Sequence, residues 1–288
     1  MSKDDKNKVN TTGHEWDGIE EYNNPLPRWW VWIFYATIIW GIGYTIAYPA
    51  WPLVKGATPG LLGFSTRANV QAEIERFEDM NSEVKAQLAS ADLTTLADNE
   101  EIYSYAIQSG RATFATFCSQ CHGSGAAGAK GYPNLLDNDW IWGGDIEEIA
   151  YTIRHGIRNE DDFDARYSEM PAFGDDYLSD EEITNVVAYV RSLSGLENEQ
   201  GDVTAGEVVF LDNCAACHLE DGTGDRLQGA PNLTDAIWLY GSSFQEVEHS
   251  VRVGPFGVMP AWGAEGVGLD ESQINGVAAY VHQLGGGE

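Results

Sequence analysis

Basic residues are scarce in this sequence: 16 lysines and arginines stand against 45 aspartates and glutamates, for a formal net charge of −29 and a pI of about 4.3. Such a chain repels a phosphate backbone, which excludes nucleic acid as a partner. The acidity has two readings that remain open. It steers a basic redox partner, or it is a solubilising surface in a salty environment.

Cysteine is scarcer still, with four residues that all lie in two short motifs. The first is Cys118-Ser-Gln-Cys121-His122 and the second is Cys214-Ala-Ala-Cys217-His218. C-x-x-C-H is the attachment signature of c-type haem. Two thiols add to the two vinyl groups of one porphyrin, and the histidine that follows is placed under the iron as its proximal ligand. The sequence therefore predicts two covalently bound haem c groups.

Two other uses of paired cysteines fit less well. A thioredoxin-like dithiol needs no histidine after its second cysteine and belongs to a strand–helix unit, whereas nothing strand-like precedes either motif here. A structural zinc site requires both pairs to converge on one metal. The pairs at Cys118 and Cys214 lie far apart in two similar segments, which does not favour one shared site.

The two motifs head an internal repeat. After each motif the same short elements return in the same order: Pro-Asn-Leu at 133 and 231, an aromatic residue before glycine at 142 and 240, arginine at 154 and 252, Met-Pro-Ala at 170 and 259, and Ala-Tyr-Val at 188 and 279. Each unit has helical periodicity and a capping box, at Ser179–Glu182 and Asp270–Gln273. We expect a mainly α-helical fold with two tandem class I cytochrome c-like domains, residues 101–197 and 198–288.

Methionine is as rare as cysteine, and two of the four methionines occupy matching positions of the repeats. Proline follows both Met170 and Met259 and favours an extended backbone, which suits a loop that presents a side chain. A thioether is a soft ligand for haem iron. The alternative is that each methionine fills a gap in a core. We expect His122, Met170, His218 and Met259 to be the axial iron ligands, and Met80 to be a core or interface residue.

Other charged residues of the repeats give weaker signals. Arg154 and Arg252 match and suit the forked recognition of a haem propionate, although an ordinary surface arginine is an equal alternative. His155 has no counterpart, since Val253 occupies its position, so the haem chemistry does not require it. His14, His249 and His282 are expected to be structural or solvated.

A long uncharged segment precedes the repeats. Residues 29–50 carry no charge, which is enough to span a bilayer, and tryptophans and tyrosines crowd both ends as interfacial belts do. A cleavable signal peptide has a shorter apolar core. We predict a retained transmembrane helix over residues 29–52, with residues 1–28 cytoplasmic. Thr37, Gly41 and Thr45 form a stripe that permits close approach of another helix.

Residues 53–100 are predicted to be a linker. Apolar residues spaced three or four apart give residues 66–90 an amphipathic stripe that is too polar to span a membrane. This helix is expected to contact a partner subunit, the first haem domain or the membrane surface.

The chain as a whole resembles the dihaem subunit (CcoP, also called FixP) of the bacterial cbb3-type cytochrome c oxidases. The resemblance rests on the segments at 14–30, 132–144, 153–159 and 259–263, together with both haem motifs. It implies a single-pass subunit of the inner membrane whose haem domains are periplasmic. It also implies that electrons pass from a soluble or membrane-bound cytochrome c donor towards a monohaem subunit and a haem–copper catalytic subunit, which reduces oxygen and pumps protons.

The acidic stretch at residues 159–169 is longer than that family leads us to expect. Three other functions stay open: an anchored dihaem shuttle of another complex, a dihaem peroxidase and a haem-based sensor. A peroxidase requires an open iron position, which two Met-Pro loops argue against.

Mass spectrometry of the denatured chain tests the haem count. Because thioether bonds survive denaturation, we expect the intact mass to exceed the polypeptide mass by two haems. Replacing Cys118 and Cys121 together with serine is expected to remove one haem and leave the other. A wild-type shift of one haem or none contradicts the prediction.

Overall fold

The computed structural model of the chain describes residues 10–175, 177–198, 200–264 and 268–288. The predicted mainly helical fold is confirmed. The α-helices are α1 Arg28–Ala47, α2 Thr66–Ala89, α3 Glu100–Thr113, α4 Ser119–His122, α5 Ile146–His155, α6 Asp180–Leu193, α7 Val203–Asn213, α8 Ala215–His218, α9 Phe244–Val253 and α10 Glu271–His282. Two short hairpins contain the strands β1 Thr11–Trp16, β2 Ile19–Tyr22, β3 Pro52–Leu53 and β4 Gly56–Ala57.

The chain divides into two compact units, Met1–Asp79 and Met80–Glu288. The first unit begins with the antiparallel pair β1–β2, in which Trp16 faces Ile19 across the turn. Asp17 and Gly18, the two turn residues, both have positive φ. Asp-Gly between β-forming residues is a strong hairpin signal, and the sequence analysis missed it.

Helix α1 is the single described helix that is long and apolar enough to cross a membrane. It begins one residue before the predicted span and ends at Ala47, because the chain then turns back over its C-terminal end. The amide of Leu61 donates to the carbonyl of Ile46, and that of Leu62 donates to Ala47. No residue of α1 is buried. Lys3, Lys6 and Lys8, which supported the predicted orientation, lie outside the described residues.

The predicted linker helix is confirmed as α2. Its C-terminal part, residues 80–89, belongs to the second unit, where Leu88 is fully buried against Ala106 of α3 and Ala279 of α10. Asn275 of α10 donates its side-chain amide to the Leu88 carbonyl at 3.0 Å. Of the three predicted contacts, the structure therefore shows the one with the haem repeats. Val70, Ile74 and Met80, further towards the N-terminal end, remain exposed.

Side-chain N-caps precede the first residues of α6 and α10. Both predicted capping boxes are confirmed: Ser179 accepts from the amide of Glu182, and Asp270 accepts from that of Gln273. Such caps satisfy amides that have no partner within the helix. The apolar face predicted for α6 is buried, with Ile183 and Val187 fully enclosed.

Two hydrophobic cores lie in the second unit, and each combines helices from both sequence repeats. Core A contains α3, α5 and α10, and core B contains α6, α7 and α9. The buried residues of core A are Phe114, Ala126, Ile149, Ala150, Ile153, Leu269, Ile274, Val277, Ala278 and Val281. Those of core B are Phe173, Ile183, Val186, Val187, Ala188, Val190, Phe210, Phe244, Val247 and Val251.

The two tandem repeats exchange their last helices in this packing. The predicted boundary between them lies at residue 197. The last helix of the first repeat, α6, packs in core B, and the last helix of the second repeat, α10, packs in core A. The boundary at residue 197 therefore separates the two sequence repeats but not the two cores. The position of a helix in the chain does not determine which of two equivalent cores it packs in.

Each exchanged helix meets its partner at a glycine. A Cβ atom added to Gly110 of α3 would overlap the carbonyl of Gly276 in α10, and one added to Gly206 of α7 would overlap the carbonyl of Asn185 in α6. The backbones therefore approach too closely for any side chain at these two positions. At this close approach the ring of Tyr280 lies tilted against that of Phe114 in core A, and the ring of Tyr189 against that of Phe210 in core B.

Replacing Gly110 with alanine tests the α3–α10 contact. The added methyl group forces the helices apart, and overpacking of this kind costs about 1–3 kcal/mol. The matched control is Gly125→Ala, whose added Cβ meets nothing within 4 Å. We expect a lower midpoint of thermal unfolding for Gly110→Ala and little change for the control. Equal midpoints for the two variants contradict the contact.

Candidate haem sites

The first C-x-x-C-H motif lies at the end of a continuous helical segment. Helix α3 runs through a π-helical turn at Phe114–Cys118 into α4, whose last residue is His122. Gly123, with a φ of 77°, turns the chain away immediately afterwards. The Nδ1 atom of His122 lies 3.0 Å from the carbonyl oxygen of Pro133. Since a carbonyl only accepts, Nδ1 carries the proton and Nε2 is left with its lone pair.

The second motif repeats this arrangement. Helix α7 leads into α8, which ends at His218. The Nδ1 atom of His218 lies 3.1 Å from the carbonyl oxygen of Pro231, so its Nε2 is also left as the ligand atom. Burial lowers the pKa of both His122 and His218, which keeps both imidazoles neutral. A neutral imidazole whose other nitrogen is held by a hydrogen bond is the form that binds metal.

The thiols do not resemble a redox-active dithiol. Burial raises the pKa of Cys118 to about 11, and a nearby Cys121 adds to the effect. Burial likewise raises the pKa of Cys214 to about 11, beside Cys217. Reactive dithiols have lowered thiol pKa values. Cys118 packs against core A and Cys214 against core B, so the two pairs do not converge on one tetrahedral metal site.

Each methionine packs in the core that holds the C-x-x-C-H motif of the other repeat. Met259, from the second repeat, packs against core A together with Cys118. Met170, from the first repeat, packs against core B together with Cys214. The structure thus brings Met259 to the side of the first motif and Met170 to the side of the second.

Backbone hydrogen bonds hold each methionine segment to the end of a helix from the other repeat. Ile157 and Met259 exchange two bonds of 3.0 Å, and Trp262 donates to the carbonyl of Ile153. In the equivalent place, Phe173 donates to the carbonyl of Val251 at 3.1 Å. The two attachments therefore share one geometry.

Glycines that end α5 and α9 make this attachment possible. Gly156 has a φ of 72° and Gly254 a φ of 64°. A Cβ atom at Gly156 would overlap the Met259 carbonyl, and one at Gly254 would overlap the Met170 carbonyl. Only glycine combines this left-handed backbone with so close an approach.

The predicted propionate ligands Arg154 and Arg252 are engaged with protein carboxylates. Arg154 forms a forked pair with Glu271, with distances of 3.2 and 2.7 Å. Arg252 pairs with Asp180 at 2.8 Å and also contacts Glu248. Glu271 and Asp180 are the first residues of the exchanged helices α10 and α6. These ion pairs accompany the helix exchange and compete with any role at a propionate, which stays a prediction.

A buried indole supports the presence of a further group in core B. Trp238 packs against that core, and its Nε1 is buried with no hydrogen-bond partner among the described residues. A buried donor of this kind requires an acceptor. Trp140, at the equivalent position of the first repeat, donates its Nε1 to the carbonyl of Gly286 instead. The unpaired indole, the neutral histidines and the adjacent thiols fit a covalently attached haem with acidic side groups.

Two of these features were missed in the sequence. The repeated Pro-Asn-Leu was noted only as a marker of the repeat, although the Pro133 and Pro231 carbonyls hold the histidines. The recurring tryptophan at 140 and 238 was not considered. Of the remaining histidines, His14 and His249 are exposed, and His282 lies 3.0 Å from the Glu288 carbonyl, as a structural residue would.

Comparison with known families identifies the same segments. Residues 8–55 match the family described as the N-terminal domain of cytochrome oxidase-cbb3, FixP. Residues 106–190 and 201–281 each match the family described as cytochrome c oxidase, cbb3-type, subunit III. Each of these two matches contains one C-x-x-C-H motif and lies within one predicted repeat.

Individual relatives are similar over almost their whole length. The chain is 58% identical to the cbb3-type cytochrome c oxidase subunit CcoP of Cereibacter sphaeroides, covering 96% of this chain and 95% of the relative. It is 51% identical to CcoP of Rhodobacter capsulatus, covering 98% of each. It is 48% identical to subunit FixP of Rhizobium meliloti, covering 99% and 97%.

Proposed function

The chain belongs to the subunit III family of cbb3-type cytochrome c oxidases, to which CcoP and FixP belong, and is an electron-transfer subunit of that oxidoreductase complex; we propose that it carries two c-type haems on two His/Met-ligated irons. The observation that supports this most directly is the pair of neutral histidines. Each is held through Nδ1 by a proline carbonyl, and each shares a core with a methionine.

We propose that the axial ligands are exchanged between the repeats. His122 and Met259 would hold the haem attached at Cys118 and Cys121, and His218 and Met170 would hold the haem attached at Cys214 and Cys217. When bound, each haem supplies one reversible electron at its iron. The protein orients the imidazoles, excludes water with cores A and B, and fixes the methionine segments through Gly156 and Gly254.

Removal of Met259 distinguishes exchanged from contiguous ligation. In a chain that carries only the first haem because Cys214 and Cys217 are serine, Met259→Ala is expected to admit carbon monoxide to the iron. It is also expected to lower the potential, because thioether ligation favours the reduced state. Each tenfold loss of preference for ferrous iron lowers the potential by about 59 mV.

The matched control is Met170→Ala in the same chain. It is expected to leave the potential unchanged and the iron closed to carbon monoxide. The reciprocal chain, with serine at 118 and 121, should give the opposite result for the two methionines. If Met170→Ala opens the first haem instead, the ligation follows the sequence order and the exchange is refuted.

We further propose that α1 anchors the chain in the bacterial inner membrane, with the N-terminus cytoplasmic and the haem repeats periplasmic. Arg28 at the start of α1 and the outward location of c-type haem attachment support this orientation. The partners that follow from the family are the haem–copper catalytic subunit and the monohaem cytochrome c subunit. A periplasmic cytochrome c would supply the electrons, and the net charge of −29 suits a basic donor.

Helix α1 offers a test of contact with another membrane helix. Its Thr37, Gly41 and Thr45 lie on one face, and a Cβ atom at Gly41 meets nothing within 4 Å among the described residues. Close helix packing in lipid depends on such small residues. We therefore expect Gly41→Leu to leave insertion and haem content intact but to reduce co-purification with the catalytic subunit in mild detergent.

The matched control for this variant is Gly43→Leu. Gly43 is equally open and lies about 200° further around the helix. The control is expected to co-purify at the wild-type level. Wild-type recovery for Gly41→Leu, or equal loss for both variants, would show that this face does not mediate the contact.

A further inference from the structure

The segment before Met170 contains a feature that the second repeat lacks. Residues 157–169 connect Gly156 to Met170, whereas only residues 255–258 connect the equivalent Gly254 to Met259. The longer segment carries five carboxylates, at positions 160, 161, 162, 164 and 169, and the shorter one carries none. His155 precedes the longer segment, while Val253 occupies its place in the second repeat. The haem fold therefore forms without this segment and without this histidine.

The structure brings His155 together with two of these carboxylates. One ligand atom from each of His155, Asp162 and Asp164 lies within 4.8 Å of the other two. The Nδ1 atom of His155 is 3.0 Å from Oδ2 of Asp162. Two donors that are each about 2.0–2.1 Å from a tetrahedral zinc ion are about 3.3 Å apart. A cation can therefore lie between His155 and Asp162 after these two side chains separate by a few tenths of an ångström.

Contacts from α5 hold these side chains in position. The ring of Tyr151 lies 4.5 Å from that of His155, centroid to centroid, and its hydroxyl donates to the Asp164 carbonyl at 2.9 Å. The side chains of His155 and Asp162 are 19% and 17% exposed. These two side chains are half-buried but open to an ion from solvent, whereas the third, Asp164, is exposed.

The local charge also favours a cation. His155 is the last residue of α5, where unpaired backbone carbonyls leave a partial negative charge. Asp162 and Asp164 add two carboxylates at the same end. The nearest guanidinium groups are otherwise engaged: Arg166 pairs with Glu148, and Arg158 donates to the carbonyls of Gly257 and Ser168.

We propose that His155, Asp162 and Asp164 bind one divalent cation of the zinc class, with water completing its coordination. One imidazole and two carboxylates suit a borderline metal ion, whereas calcium prefers six to eight oxygen ligands. The bound cation links the loop at 157–169 to the end of α5. This inference does not rest on the haem assignments, since the three residues lie outside both motifs.

Calorimetric titration with zinc tests the proposal on the haem-loaded full chain in detergent, after chelator treatment and dialysis. We expect one site in the wild type. His155→Val, which introduces the residue of the second repeat, is expected to weaken that site by roughly tenfold or more, as is Asp162→Asn. The haem spectrum of each variant should be unchanged, which confirms that the fold is intact.

Asp161→Asn and His249→Val are the matched controls. The first removes a neighbouring carboxylate and the second an exposed histidine, and both should retain the wild-type affinity. No stoichiometric site in the wild type, or equal affinity in His155→Val, overturns the proposal. Calcium that binds as tightly as zinc overturns the assignment to the zinc class.

Discussion

The exchange of C-terminal helices between the two repeats is the constraint on which the rest of the structure depends. Helix α10 returns from the far end of the chain to cross α3 at Gly110, and α6 crosses α7 at Gly206. The combination of elements from both repeats in each candidate haem site follows from those crossings. They carry Met259 into core A and Met170 into core B, and they place Glu271 and Asp180 beside Arg154 and Arg252. Each core contains buried residues from both repeats, so neither repeat completes a core on its own.

The two cores contain equivalent helices and motifs, but in a different order along the chain. Core A receives α3, the first motif and α5, and then, after a long excursion, the Met259 segment and α10. Core B consists of the same parts in a rotated order, because Met170 and α6 come first, and α7, the second motif and α9 follow. Such a rotation is tolerated when the ends of a domain lie close together. Helices α6 and α7 are consecutive in the chain and also pack together in core B, so residues 194–202 are enough to connect them.

Local signals in the sequence predicted most of the elements that depend on local physics, although the hairpin at Asp17-Gly18 was missed. The capping boxes, the apolar faces of α6 and α10, the uncharged span and the amphipathic linker are written in residues that are close in the chain. The packing partner of each helix is not encoded locally, because α6 and α10 have similar apolar faces, as the buried Ile183 and Ile274 illustrate. The prediction that Arg154 and Arg252 bind haem propionates was based on their equivalent positions in the two repeats. Their matching position reflects the ends of α5 and α9, where each meets the first residue of an exchanged helix.

A comparison of the two repeats distinguishes the features that haem binding requires from those that only one repeat contains. Features present twice, such as the proline carbonyls behind His122 and His218 or the glycines at 156 and 254, belong to the shared site. Features present once belong to one copy alone. The cluster around His155 is of this second kind. The loop that holds Asp162 continues into Met170, which leaves core A for core B. An ordered anchor at that point shortens the free segment that must span the two cores, and a shorter free segment has less conformational entropy to lose when Met170 is placed.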